Sequence, residues 1–146
     1  MIEHALIRLE FVLGTIPSLL SAFEEAEFSA KPVSSQWSKK EIIGHLIDSA
    51  ANNHQRFVRA QFEHIPTIRY EQNKWNECSF HQEISAEQII AFWTIYNKQI
   101  LEIVKRIPEE HLSKEMSDGE KVMTIDDVFI DYVEHMEHHL KQVLDY

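Results

Sequence analysis

Apolar residues recur at spacings of three and four along most of this chain, which marks amphipathic helices rather than strands. In the first such stretch Leu6, Leu9, Leu13, Ile16, Leu20 and Phe23 share a face, predicting a helix over about residues 2–25. Gly14 and Pro17 interrupt it, so a kink or a break near Thr15 is expected. A second helix has the clearest start signal. Ser38 stands as N-cap with Glu41 three residues on, a capping box, and Trp37 and Ile42 flank it as a hydrophobic staple. It should run to about residue 62, before Pro66, with Leu46, Ala50, Asn53 and Phe57 toward its apolar side. Residues 65–84 are polar and aromatic and read as a long loop with a short helical turn at most. Loops of that length in a compact domain are usually functional. A third helix is expected from Ser85, with Gln88 in the capping-box position, to about residue 106, where Pro108 stops it. Its apolar face is Ile89, Phe92, Trp93, Tyr96, Ile100, Ile103 and Val104. Glu109 to Leu112 suit one short turn, and Asp118-Gly119 marks a tight one. The fourth helix starts at Thr124, with Asp127 completing its cap, and reaches about residue 144. Four helices of roughly 20 residues argue for an all-α four-helix bundle with a long loop between helices 2 and 3.

Composition narrows the function. The 146 residues suit a single domain spanning 1–146, and a hydrophobic fraction of 44% supports a core without disulfides. Cys78 is the lone cysteine, which fits a reducing cytoplasm. Glu3, Arg8 and Glu10 break the pattern of a secretory leader, and no apolar run approaches the roughly 20 residues of a membrane span. A formal charge of −10 with no local basic patch makes nucleic acid and anionic membranes unexpected partners.

Nine histidines are many for this length, and two of them carry the chemistry. His135 and His139, four apart on the fourth helix, project from one face one turn apart, where a single ion can be gripped. At 100° per residue they fall within about 40° of each other, on the shoulder of the apolar stripe of Ile125, Phe129, Met136, Leu140 and Val143. His138 falls at about −60°, toward solvent. On the second helix His45 heads a polar stripe with Ser49, Asn52 and Arg56, flanked by Asp48, beside the face of Ile42, Leu46, Ala50 and Phe57. If the fold joins the two helices, three imidazoles form a metal site with an open fourth position. The remaining histidines (His4, His54, His64, His81, His111 and His138) read as surface or hydrogen-bonded residues, and Trp37, Trp75 and Trp93 as packing.

The joined pattern resembles the DinB-like superfamily. Its parts are Pro17-Ser18-Leu19-Leu20, Lys31-Pro32, the run from Trp37 to Asp48 of the form Trp-Ser-x-x-Glu-x-x-x-His-Leu, and His135 followed by His139-Leu140-Lys141-Gln142. The resemblance implies an up-down-down-up four-helix bundle, usually a homodimer, with a divalent metal held at the positions of His45, His135 and His139. It also implies thiol-dependent transferases and isomerases or metal-dependent hydrolases, acting on a small-molecule substrate.

Three neutral imidazoles leave an ion its full charge and an open position. Such an ion can lower the pKa of bound water to about 7, or stabilise the thiolate of a low-molecular-weight thiol. The ligands do not choose between hydrolysis and thiol transfer, nor among zinc, nickel, iron and manganese. Asp48 or Glu134 is available as a general base, although the wheel turns both from the groove centre. Asp48, Asn52 and Arg56 are the candidates for second-sphere or pocket roles. The competing class is a non-catalytic dimeric bundle that binds a metal or small ligand, and a fourth protein ligand such as Asp48 would favour it.

Overall fold

Four long helices carry the chain in the computed structural model, which describes residues 2–146. They are α1 (Ile2–Ser21), α3 (Lys39–Arg59), α5 (Ala86–Lys105) and α6 (Ile125–Leu140), with the short helices α2 (Glu25–Ser29) and α4 (Gln72–Cys78) in the connections. α1 and α3 each pack against both α5 and α6. The N-terminal turns of α1 meet the start of α6 and the end of α5 around one cavity. The early part of α3 meets the late part of α6. α1 and α6 therefore run one way and α3 and α5 the other, the up-down-down-up order. Because α3 and α5 are parallel, the chain must travel back along the bundle between them, and the long stretch 60–85 does so.

Each helix forms for reasons visible in its residues. Ser38 accepts from the Glu41 N–H at 3.1 Å and Glu41 Oε1 accepts from the Ser38 N–H at 3.0 Å, closing the capping box. Ser85 and Thr124 cap α5 and α6 by accepting from the N–H of Gln88 and Asp127. The core joins Leu9, Ile16 and Leu20 of α1, Ile43, Leu46 and Phe57 of α3, Trp93 and Ile100 of α5, and Phe129 and Met136 of α6, all at most 1% exposed.

Four expectations are revised. α1 continues unbroken through Gly14 and Pro17. Gly14 faces open space, and Pro17 sits in the last turns, where the burial of Leu13, Ile16 and Leu20 outweighs one lost backbone bond. The helix stops at Ser21, and Phe23 turns to pack on Phe28 of α2 at 6.0 Å between ring centroids. On α5, Phe92 is 48% exposed, while Asn97 takes a buried place and receives the Tyr132 hydroxyl hydrogen. Residues Glu115–Ser117 and Val122–Thr124 form an antiparallel hairpin, β1 and β2, around the Asp118-Gly119 turn. There Gly119 adopts φ +98°, a value that suits glycine. Strands of three residues are too short to show alternation, and only Met116 among them is buried.

The stretch expected as loop is organised by side chains from α3. His81 follows α4 in a short 3-10 turn, His81–Glu83, and lies directly over Gly44, where any Cβ would overlap the imidazole. In an unobstructed helix interior Gly→Ala stabilises by about 0.5–1 kcal/mol. Here the sign reverses: Gly44→Ala is expected to destabilise by about 1–3 kcal/mol through overpacking. Urea denaturation of Gly44→Ala alone and in a His81→Ala background checks this, since the second change should remove most of the penalty.

Candidate metal centre

His45 lies in the second turn of α3, and His135 and His139 occupy the last turns of α6. Antiparallel packing of these helices brings all three rings together. The Nε2 atoms of His45 and His135 are 3.1 Å apart. The His139 ring centroid is 4.7 Å from that of His45 and 4.5 Å from that of His135. One nitrogen from each ring falls within 4.8 Å of the others. Two nitrogens bound to one tetrahedral zinc ion lie about 3.3 Å apart, so the closest pair already approximates an edge of that polyhedron.

Burial decides the charge of the cluster. It is the largest cause pushing the His45 pKa down to about 3, with His135, His139 and His81 adding to it. Burial likewise takes His135 down to about 4, helped by His139 and His138. His139 is lowered by burial, with a hydrogen bond to Gln142 acting the other way. At neutral pH all three are uncharged and keep a lone pair. Gln142 Oε1, an acceptor, lies 3.0 Å from His139 Nδ1, so Nδ1 carries the hydrogen and Nε2 is left to bind. His45 is fully buried and its Nδ1 has no hydrogen-bond partner. Burying so polar a ring with so few partners is costly, and a bond from Nε2 to a cation offsets that cost. The donor set thus fits a divalent ion. The Trp37 ring covers His45 at 4.9 Å between centroids, so this tryptophan borders the cluster as well as packing.

The other candidates go elsewhere. Asp48, 3% exposed, holds His81: its Oδ1 accepts from His81 Nε2 at 2.9 Å. Among the described residues the groups close enough to share one ion are the three histidines, without Asp48. Asn52 is buried and donates to the Asp48 carbonyl within α3 at 2.9 Å, and it borders neither cavity beside the cluster. Arg56 reaches Asn53 Oδ1 and the Ile68 carbonyl, and it lines a cavity together with His135. Burial is the main influence on its pKa, downward, against the upward pull of Tyr70 and Asp118. His138 is exposed, as the helical wheel requires.

Two cavities meet the cluster from different sides. One of about 580 Å³ is bordered by His139, Trp37, Gln36, Gln72, Asn73 and Gln142, an uncharged, amide-rich wall. The other, about 220 Å³, runs from His135 past Tyr132, Ser49 and Tyr70 to Arg56, under the β1–β2 hairpin. In the sequence Gln142 stands out only within the motif, and Tyr70 carries no signal of its own. The three-residue spacing of Gln142 from His139 on a helix was a usable signal, whereas the fold alone brings Tyr70 near.

A sequence profile of the DinB superfamily matches residues 8–143. The Bacillus subtilis protein YfiT, described as a probable metal-dependent hydrolase, is 20% identical over 112 residues, which are 75% of this chain and 63% of that protein. The matched region is therefore just under two thirds of that relative's length. Its solved structure, of an unusual four-helix bundle topology, superposes with TM-score 0.83 at 18% identity over 94% of this chain and 81% of that one. A mycothiol-dependent maleylpyruvate isomerase superposes with TM-score 0.79 at 12% identity, covering 96% of this chain and 60% of its own. A DinB-like protein from Bacillus subtilis gives TM-score 0.65 at 14% identity, over 95% of this chain and 85% of that chain. No helix among the described residues is long and apolar enough to cross a membrane.

Because the buried imidazoles titrate lower in the folded chain than the ordinary 6.5, the unfolded chain binds more protons between that value and about 3. The metal-free protein is therefore expected to hold its full share of this stability above about pH 6.5 and to lose it progressively as pH falls through 4 toward about 3. Denaturant unfolding across that window should show a clearly shallower pH slope for a His45→Asn, His135→Asn double variant. An unchanged slope would mean that the cluster is not desolvated.

Proposed function

We propose that this chain, which belongs to the DinB superfamily, is a divalent-metal-dependent enzyme whose ion is held by His45, His135 and His139. The convergence of three neutral imidazoles from α3 and α6 is the observation that carries this reading. A bound ion would supply Lewis-acid charge that acidifies a water or thiol and polarises an electrophile. The chain's own groups do the rest. Gln142 fixes the His139 tautomer, Trp37 shields His45 from water, and the amide side chains of Gln36, Gln72 and Asn73 can hydrogen-bond the polar, uncharged body of a small ligand. The cluster has three protein ligands, and His135 and His139 border cavities, which suits an enzyme better than a closed structural site.

Between hydrolysis and thiol-dependent group transfer, the paired cavities favour transfer. Water needs one organic subsite, whereas a thiol and an electrophile need two, and here two chambers of different lining open on the cluster. The similarity to YfiT keeps hydrolysis as the second reading. The proposal includes a homodimer. Ile7, Phe11 and Leu19 on α1 and Phe92 and Ile95 on the neighbouring α5 are exposed apolar side chains that support it.

Elemental analysis of protein purified without a metal-affinity tag is expected to find about one divalent ion per chain. The His135→Ala, His139→Ala double variant should lose it while keeping its far-UV circular dichroism. Wild-type protein that takes up none of zinc, nickel, iron or manganese would overturn the reading. Gln142→Leu is expected to weaken metal affinity by about tenfold to a hundredfold, measured by competition with a chelator.

A further inference from the structure

The cavity on the His135 side ends on a guanidinium, that of Arg56, which no carboxylate among the described residues contacts directly. Arg8, Arg59 and Arg106 each pair with a glutamate. Arg56 is half-buried and, among the described residues, makes no ion pair. It gives its hydrogens to neutral acceptors, Asn53 Oδ1 at 3.2 Å and the Ile68 carbonyl at 2.8 Å, and its Nε is buried without a partner. A guanidinium offers five N–H donors in a planar fork that matches a carboxylate, and most of them remain unused. A half-buried charge without a contact ion pair costs stability, which makes the arrangement expensive as mere scaffolding.

Asp118 acts on Arg56 through space without forming an ion pair with it. Asp118 Oδ1 accepts from the N–H groups of Glu120 and Lys121, each at 2.9 Å, and these amides hold its carboxylate below the ordinary range as part of the hairpin turn. Asp131 and Lys121, also on the rim, are exposed and of opposite sign. Tyr70 and Ser49 add hydroxyls nearby. Volume limits the ligand: about 220 Å³ is below the roughly 300–1,000 Å³ of pockets for drug-sized molecules. Length limits it too. Arg56 follows His45 by three helical turns, about 16 Å along α3, so whatever Arg56 holds lies apart from the histidine cluster.

We propose that Arg56, with Tyr70 and Ser49, forms a subsite for the carboxylate of a small organic acid whose other end points toward His135. The direction of the ligand rests on the metal-centre reading, while the carboxylate subsite does not. Anchoring a substrate by a group remote from the reacting atoms is a common source of orientation.

The test is calorimetric titration of metal-free and metal-loaded protein with butanoate, succinate and glutarate, with butanamide and glutaramide as uncharged controls and inorganic phosphate as a competing anion. The acids are expected to bind both forms and the amides neither. Arg56→Gln should lower acid affinity about tenfold or more while its thermal unfolding stays close to wild type. Should Arg56→Gln fail to fold, the acid-against-amide comparison on wild type still decides. So does the shift of the Arg56 side-chain resonance in a nitrogen-15 spectrum on adding acid. The proposal is overturned if amides bind as well as acids, if phosphate binds in preference to every acid, or if the Arg56 resonance does not move. It is also overturned if acids bind only the metal-loaded form with an affinity that Arg56→Gln leaves unchanged. Failure of the metal reading shows separately, as no metal uptake by wild type.

Discussion

Antiparallel packing of α3 on α6 is the constraint on which the rest of the molecule hangs. It takes an early turn of one helix and the last turns of another, far apart in the chain, and presses three polar rings into one desolvated space. Imidazole is the side chain for which this is tolerable. It sheds its charge under burial at modest cost, whereas carboxylates or ammonium groups set as close would repel or demand counter-ions. Neutrality then leaves a lone pair on each ring, with one nitrogen of each within 4.8 Å of the others.

Neighbouring elements hold that geometry without touching the point itself. Arg8 of α1 grips Glu137 through two hydrogen bonds of 2.9 and 2.8 Å. Glu137 stands between His135 and His139 on α6, so the pair limits rotation of the helix about its own axis. On the other side, Asp48 and His81 pin the connection after α4 onto α3, and Gly44 gives the imidazole room. Helices that contribute no ligand therefore set how the ligands stand. The two cavities inherit their contrast from the same layout: amide side chains from the α2–α3 connection and α4 border one, and the hairpin with Arg56 borders the other.

Much of this was legible in the sequence, because helical periodicity is a local property. Angles on the fourth helix put His135 and His139 on the shoulder of the core and sent His138 outward, and the structure has them there. The cap at Ser38 and the buried positions Leu46, Ala50, Asn53 and Phe57 were equally local. What could not be read depends on contacts between distant segments. The hairpin is held partly by pairing with residues 66–68, through Ile68 N–H to the Ser117 carbonyl and Ser117 N–H to the Pro66 carbonyl. The partnership of Asp48 with His81 spans 33 residues and crosses a stretch without periodicity. The break that Pro17 suggests does not occur, because its local cost is real and tertiary burial outweighs it.

The spacing of the histidines along the chain has a further consequence, one of timing. His45 and His135 are separated by 90 residues, so no early, local intermediate can contain the cluster. The chain must close its longest loops, lay the stretch 60–85 back along the bundle and dock α6 before the third nitrogen arrives. Any cation that needs all three rings therefore binds the finished fold and not its precursors. Such binding deepens the native basin alone: it slows the loss of structure rather than hastening its formation.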